Sequence, residues 1–145
     1  MNILFFLTPK SEVDYINEDA SLFKTLSKMQ ERNYSAIPIV NKSGKYVGTI
    51  TSGDILGCIK ENFNLSLRDA ADFPLKNIRR IRDNKAVNAN CRIETIIETI
   101  LSQNFVPVVD DDDNFIGIIT RREIMKYLHE HLEKTEAAEI EKIIK

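Results

Sequence analysis

Apolar positions along this chain fall into two kinds of pattern, short continuous runs and helical stripes, and their order is written twice. In the first half, residues 13–16 are short and apolar enough for a strand. Asp19 or Ser21 is placed to cap a helix in which Leu22, Phe23, Leu26 and Met29 recur at helical spacing as far as Arg32. Residues 36–40 form an apolar run of buried-strand length. The turn chemistry of Asn41-Lys42-Ser43-Gly44-Lys45 then predicts a hairpin with residues 46–51. Ile55, Leu56 and Ile59 mark one face of the next helix. The same order returns as a strand at 86–88, a stripe of Ile93, Ile96, Ile97 and Ile100, strands at 105–110 and 115–120 around an acidic turn, and a helix facing inward through Ile124, Met125 and Leu128.

Pro38 and Pro107, Gly48 and Gly117, and Thr51 and Thr120 are each separated by 69 residues. Such a duplication predicts two units that bury apolar faces against each other and leave symmetric clefts between them. The interval fails upstream of the prolines, where the second half is shortened by one or two residues before Phe105, so the two sites need not be equivalent. The expected organisation is an N-terminal arm with the first repeat at 1–62, a connector at 63–78, the second repeat at 79–132 and a helical tail at 133–145. In the tail, Ala137, Ile140, Ile143 and Ile144 cluster towards one face. A helix this short and polar is marginal alone, so it is expected to dock on its own domain or on a second subunit.

Composition narrows the class. Of 145 residues, 43% are hydrophobic and 29% charged, enough for one sizeable core or two small ones fused into a pair. A net charge of −2 and a pI near 5.7 argue against general attraction to nucleic acid or anionic lipid. The run Ile3-Leu4-Phe5-Phe6-Leu7 is too short to span a membrane and no basic residue precedes it, so it is expected to pack as an apolar arm over the core. With no export signal, the expected compartment is the cytoplasm. Cys58 and Cys91 lack ligand spacing and are expected as reduced, partly buried thiols. Asp110 to Asp113 lacks the ligand alternation of a calcium loop, and His129 and His131 point to different helix faces, so no metal site is expected. No phosphate loop, nucleophile elbow or zinc motif occurs, and no catalytic residue or cofactor is expected.

Two elements carry candidate chemistry. One is the strand Ile37-Pro38-Ile39-Val40, repeated as Val106-Pro107-Val108-Val109; the other is Gly48-Thr49-Ile50-Thr51-Ser52-Gly53-Asp54, repeated as Gly117-Ile118-Ile119-Thr120-Arg121-Arg122-Glu123. Thr51-x-x-Asp54 and Thr120-x-x-Glu123 both read as capping boxes, and capping alone accounts for the hydroxyl and the acid. A carboxylate at a helix start can equally accept both hydrogen bonds of a vicinal diol, while the helix N-terminus and nearby arginines favour a phosphate. Arg121 and Arg122 oppose the helix dipole; either a phosphate or the neighbouring Glu123 would relieve them. Lys76, Arg79, Arg80, Arg82 and Lys85 suit a polyphosphate, or are a solvated linker. Aromatic residues do not interleave regularly with them, which weakens an RNA-binding reading.

Together these motifs resemble the tandem cystathionine-beta-synthase (CBS) domain pair over residues 9–132, of the stand-alone bacterial type. The resemblance implies a mixed α+β / α/β fold of two β-α-β-β-α repeats packed as a pseudo-twofold module, often a homodimer. It also implies a regulatory protein, not an enzyme, that binds an adenosine-containing nucleotide and signals occupancy to an unknown effector protein, with no role for nucleic acid or membrane. Candidates are AMP, ADP, ATP and cyclic di-AMP beside NAD and S-adenosylmethionine; stand-alone pairs of some bacteria bind cyclic di-AMP, and Thr120-Arg121-Arg122 is similar to theirs. The implied adenine and ribose contacts are Tyr34, Ala36, Ile37, Pro38, Thr51 and Asp54 in a first cleft. Those of a second cleft are Val87, Phe105, Val106, Pro107, Thr120 and Glu123, with Arg121, Arg122, Arg82 and Lys85 on phosphate. Glu123 departs from the family's Asp and is the less certain ribose ligand. On this reading Asp54→Ala weakens nucleotide binding and leaves the fold intact, whereas unchanged affinity favours capping. The competing expectation is an interaction or structural module with vestigial clefts, whose apolar arm and C-terminal helix hold a partner. An enzyme would need a positioned base or nucleophile. The pair and its tails use the whole chain, so the effector is expected to be another protein.

Overall fold

The predicted order of strand, helix, strand, strand, helix is realised twice. The computed structural model describes residues 1–144; Lys145, the last residue of the predicted tail, lies outside them. The elements are β1 (Thr8–Pro9), β2 (Ile16–Asn17), α1 (Leu22–Arg32), β3 (Ala36–Val40), β4 (Tyr46–Thr51), α2 (Ser52–Phe63), α3 (Leu67–Ala70), β5 (Val87–Asn88), α4 (Ile93–Ile100), β6 (Phe105–Val109), β7 (Phe115–Thr120) and α5 (Arg121–Ile144). One sheet has the order β2-β3-β4 and the other β1-β7-β6-β5. Within each repeat a parallel pair joined through a helix is followed by an antiparallel hairpin, with Pro38 opposite Thr49 and Pro107 opposite Ile118. β2 reaches only Ile39 and Val40, so Pro38, which has no N–H to donate, lies where β3 has a single neighbour.

Alternation along the strands sends Ile37, Ile39 and Ile50 into one core with the first repeat's helices, and Val106, Val108 and Ile119 into a second. Pro38 and Phe105, on the opposite strand faces, meet between the two sheets. The hairpin turns clasp each other there: Lys45 bridges to Asn114, its counterpart 69 residues on, and the Phe115 amide donates to the Gly44 carbonyl at 2.9 Å. The Lys45 ammonium also donates to the Asp112 carbonyl, and the Tyr46 and Phe115 rings stack.

The helical stripes are narrower than expected. Leu22, Thr25 and Met29 form the buried side of α1, while Phe23 is 52% exposed. Leu56 on α2 and its counterpart Met125 on α5 are likewise exposed, at 61% and 56%. Adjacent helical residues diverge by about 100°, so only one of two neighbouring apolar residues can face a core beneath the helix. The first strand of the chain is also not the predicted one: residues 13–16 contribute only Ile16 to β2, and the N-terminal arm supplies β1 instead. Ile3 and Phe6 of that arm pack in the core of the second repeat, with Phe6 edge-on to Tyr127 at 5.1 Å, whereas Leu75 and Ile78 of the connector pack in the core of the first. Within α5, residues 133–144 are exposed throughout, so the expected docking of this tail on its own domain does not occur. Among the described residues, no helix is long and apolar enough to cross a membrane.

Candidate ligand clefts between the repeats

Each antiparallel hairpin brings a loop residue beside a helix start, because Ala36 pairs with Thr51 and Phe105 with Thr120. One backbone bond recurs in both repeats: the Ser52 amide donates to the Ser35 carbonyl at 3.0 Å, and the Arg121 amide to the Asn104 carbonyl at 2.9 Å. From this common frame the two clefts diverge.

The first is an open cavity of about 390 Å³. Tyr34, Ala36 and Pro38 form one wall, Phe105, Ile118 and Thr120 the other, and Glu12, Val13 and Asp14 of the N-terminal segment close its side. The residues expected in two separate clefts therefore meet in one, because the end of each hairpin faces the end of the other across the pseudo-twofold. Tyr34 donates to Asp14 Oδ2 at 3.3 Å, and Arg32 lies 3.6 Å from the same carboxylate. The lining combines apolar surface from Val13, Ala36, Pro38, Phe105 and Ile118 with hydroxyl, amide and carboxylate groups, which suits a flat heterocycle carrying a polar substituent.

Several expected contacts do not line this cavity. Ile37 and Val106 are fully buried on the far strand faces, within the cores. Val87, Pro107 and Glu123 lie outside its walls. The Arg121 Nε donates to the Ile100 carbonyl at 2.8 Å, so this cation caps the end of α4, where the helix dipole favours it, and does not face the cavity. Arg122, Arg82 and Lys85 are exposed and also absent from its walls. Thr8, Asn33, Ser35 and Asn104 line it although no motif marked them. The 69-residue interval relates Ser35 to Asn104, a signal that could have found that pair.

The other cleft, at Thr51 and Asp54, is crossed by the segment ahead of β5. Thr51 Oγ1 accepts from the Asp54 amide at 3.1 Å and Asp54 Oδ2 from the Thr51 amide at 3.0 Å, a complete capping box. The remaining oxygen, Oδ1, accepts from the Ile81 amide at 3.0 Å, and Asp54 is 3% exposed. The ribose contact expected of Asp54 thus meets a carboxylate whose two oxygens already hold backbone donors. Asp83 Oδ1 accepts from the Thr49 amide at 2.7 Å and is gripped by Arg80 Nε. The Tyr46 hydroxyl bonds the Thr49 hydroxyl and donates to the Asn84 carbonyl, both at 2.7 Å. Burial, aided by the nearby Asp83 charge, lifts Tyr46 above the usual tyrosine range and keeps it neutral. Gln103, standing where the shortened second repeat turns into β6, bonds both the amide and the carbonyl of Lys85. A smaller cavity of about 180 Å³ remains on this side, against Asp54, Cys58, Glu61 and Arg79.

At the second helix start the Glu123 amide donates to Thr120 Oγ1 at 3.2 Å. Glu123 is exposed, and among the described residues its carboxylate accepts no hydrogen bond, so here the expected box is only half made. Cys58 and Cys91 are free thiols, buried and half-buried. Among the described residues, no group of three or more His, Cys, Asp or Glu side chains is placed to hold a metal ion.

The family model of the CBS domain matches residues 7–61 and again 70–130. An uncharacterized protein of Methanocaldococcus jannaschii is 30% identical over 126 residues, 78% of this chain and 44% of its own length. The chain thus spans less than half of that relative. It is also similar to cyclic di-AMP receptor B of Bacillus subtilis, 23% identical over 127 residues, 88% of this chain and 86% of that one. Among solved structures, CbpB in complex with c-di-AMP shares the fold with a TM-score of 0.83 at 23% identity, covering 95% of this chain and 91% of that one.

Proposed function

The chain belongs to the CBS-domain family as a tandem pair, and from that premise we propose that it is a non-catalytic regulatory module which takes an adenosine-containing nucleotide, AMP, ADP, ATP or cyclic di-AMP, into the open inter-repeat cleft and signals occupancy to a partner protein. The observation that carries this reading is the cavity of about 390 Å³, walled by Tyr34, Ala36 and Pro38 from one repeat and Phe105, Ile118 and Thr120 from the other. The apolar pair Pro38 and Phe105 offers faces to an adenine, and Thr120 with Asp14 offers polar atoms to a ribose. Arg122, exposed and unpaired among the described residues two positions after Thr120, is the candidate partner for phosphates that extend out of the cleft. The complex of CbpB with c-di-AMP and the name of the Bacillus relative support a nucleotide as the ligand class. Since the cleft includes both repeats, a bound nucleotide bridges them and stabilises one relative placement, which is a means of reporting occupancy. The exposed counterparts Leu56 and Met125 on α2 and α5 support a homodimer through these helices.

The test is thermal unfolding of the whole chain against AMP, ADP, ATP, cyclic di-AMP, NAD, S-adenosylmethionine and a GTP control. A ligand at about a hundred times its dissociation constant adds about 2.7 kcal/mol, a rise of several degrees. A rise with an adenine ligand, absent with GTP and absent in Ala36→Phe, which fills the cleft, is expected. A flat response to the whole panel refutes the nucleotide reading and leaves the interaction module, whose support is the exposed length of α5.

A further inference from the structure

We infer that the chain carries a single ligand-competent cleft, the other being closed by the chain's own segment ahead of β5, residues 80–85, a linker acting as a built-in occupant. As an account of ligand capacity this rests on the proposed nucleotide reading, but the closure is a property of the unliganded protein.

The two repeats treat the segment before them differently. Ahead of the first, Thr8 and Pro9 pair as β1 with Ile118 and Gly117 of β7, hug the sheet edge, and leave the space beside Thr120 open. Ahead of the second, the linker meets the matching edge of β4 through side chains. Asp83 accepts from the Thr49 amide, Arg80 holds Asp83, and a Cβ at Gly48 would come within 2.7 Å of both side chains. This arrangement turns the linker inward, so that the Ile81 amide reaches the Asp54 carboxylate at 3.0 Å. Asn84 and Lys85 then tie the linker's far end to Tyr46, Gln103 and Phe105. A ribose diol approaching Asp54 would compete with the Ile81 and Thr51 amides for the same two oxygens.

The linker is anchored at both ends and in the middle, so it can release Asp54 only as a unit. If the released state is populated to about one part in a thousand, the apparent dissociation constant of this cleft rises by the same factor. The asymmetry follows from chemistry that the duplication does not share: Asp83, Gln103 and the buried Asp54 lie on the closed side, whereas the Glu123 carboxylate at the other helix start accepts no hydrogen bond among the described residues.

The experiment is amide hydrogen exchange on the full chain by NMR, with AMP titrated calorimetrically. In nucleotide-free protein the Ile81 and Thr49 amides are expected to be protected by about a hundredfold or more, and Asp83→Ala, which removes the Thr49 acceptor, to speed exchange at Ile81 by about tenfold. Gly48→Ala, which pushes on Arg80 and Asp83, should do the same if Asp83→Ala folds poorly. With AMP, one molecule per chain and undiminished Ile81 protection are expected. Ile81 exchanging as fast as a free linker amide, or two AMP per chain with Ile81 released, overturns the inference. If AMP does not bind, the nucleotide reading is what fails, and the closure stands or falls on the exchange data.

Discussion

Asp54→Ala separates a structural carboxylate from a ligand carboxylate. Its side chain is 3% exposed and holds the Thr51 and Ile81 amides at 3.0 Å each. Hydrogen bonds to a charged acceptor contribute about 1.5 to 3 kcal/mol each, and losing a helix cap costs about 0.5 to 2 kcal/mol. Water can enter the space left by the truncation and partly satisfy both amides, so the lower end applies and the expected loss is about 2 to 4 kcal/mol. For a chain of this size that lowers the unfolding midpoint by roughly 10 °C. Glu123→Ala is the internal control. It stands at the equivalent position, exposed and without a carboxylate hydrogen bond among the described residues, and should stay within about 0.5 kcal/mol of the parent. Urea unfolding followed by circular dichroism measures both, and repeating it with AMP adds the functional arm. The AMP-induced stabilisation should survive in Asp54→Ala, because Asp54 does not line the open cleft. An Asp54→Ala protein as stable as the parent that no longer responds to AMP would refute this reasoning and restore the ribose contact.

Two further outcomes follow from the sheet edges and the turns. A Cβ at Gly117, whose φ is +154°, would sit 2.2 Å from the Thr8 carbonyl oxygen, so Gly117→Ala should detach β1 at a cost of about 1 to 3 kcal/mol. Limited proteolysis should then cleave the N-terminal arm early, and an unchanged digestion pattern would contradict the contact. The Asn114 side chain and amide, helped by the Asp112 amide, hold Asp110 below the usual carboxylate range. A carboxyl depressed in the folded state stabilises above its unfolded pKa, and that contribution is lost as pH falls through the folded value. Urea midpoints from about pH 7 down to about pH 3 should therefore fall less steeply in Asp110→Asn than in the parent, and parallel curves would exclude the effect.

What the sequence by itself determined is the repeated β-α-β-β-α order, because hydrophobic periodicity and turn chemistry are local and are written along the chain. The 69-residue interval also located both helix starts and both proline strands, and the structure builds a capping box at Thr51 where that motif stands. Local pattern already failed at Phe23, Leu56 and Met125, where two adjacent apolar residues competed for one buried face and only the position of the core chose between them. The tertiary structure alone decided that the N-terminal arm packs on the second repeat, that Tyr34 and Thr120 share a cleft, and that Asp54 is closed off while Glu123 is not. Those outcomes depend on single polar contacts between segments distant in the chain, such as Asp83 with Thr49 and Gln103 with Lys85. Such contacts leave no period in the sequence. Two repeats with the same apolar code can therefore share one architecture and still differ in which of their clefts a ligand can enter.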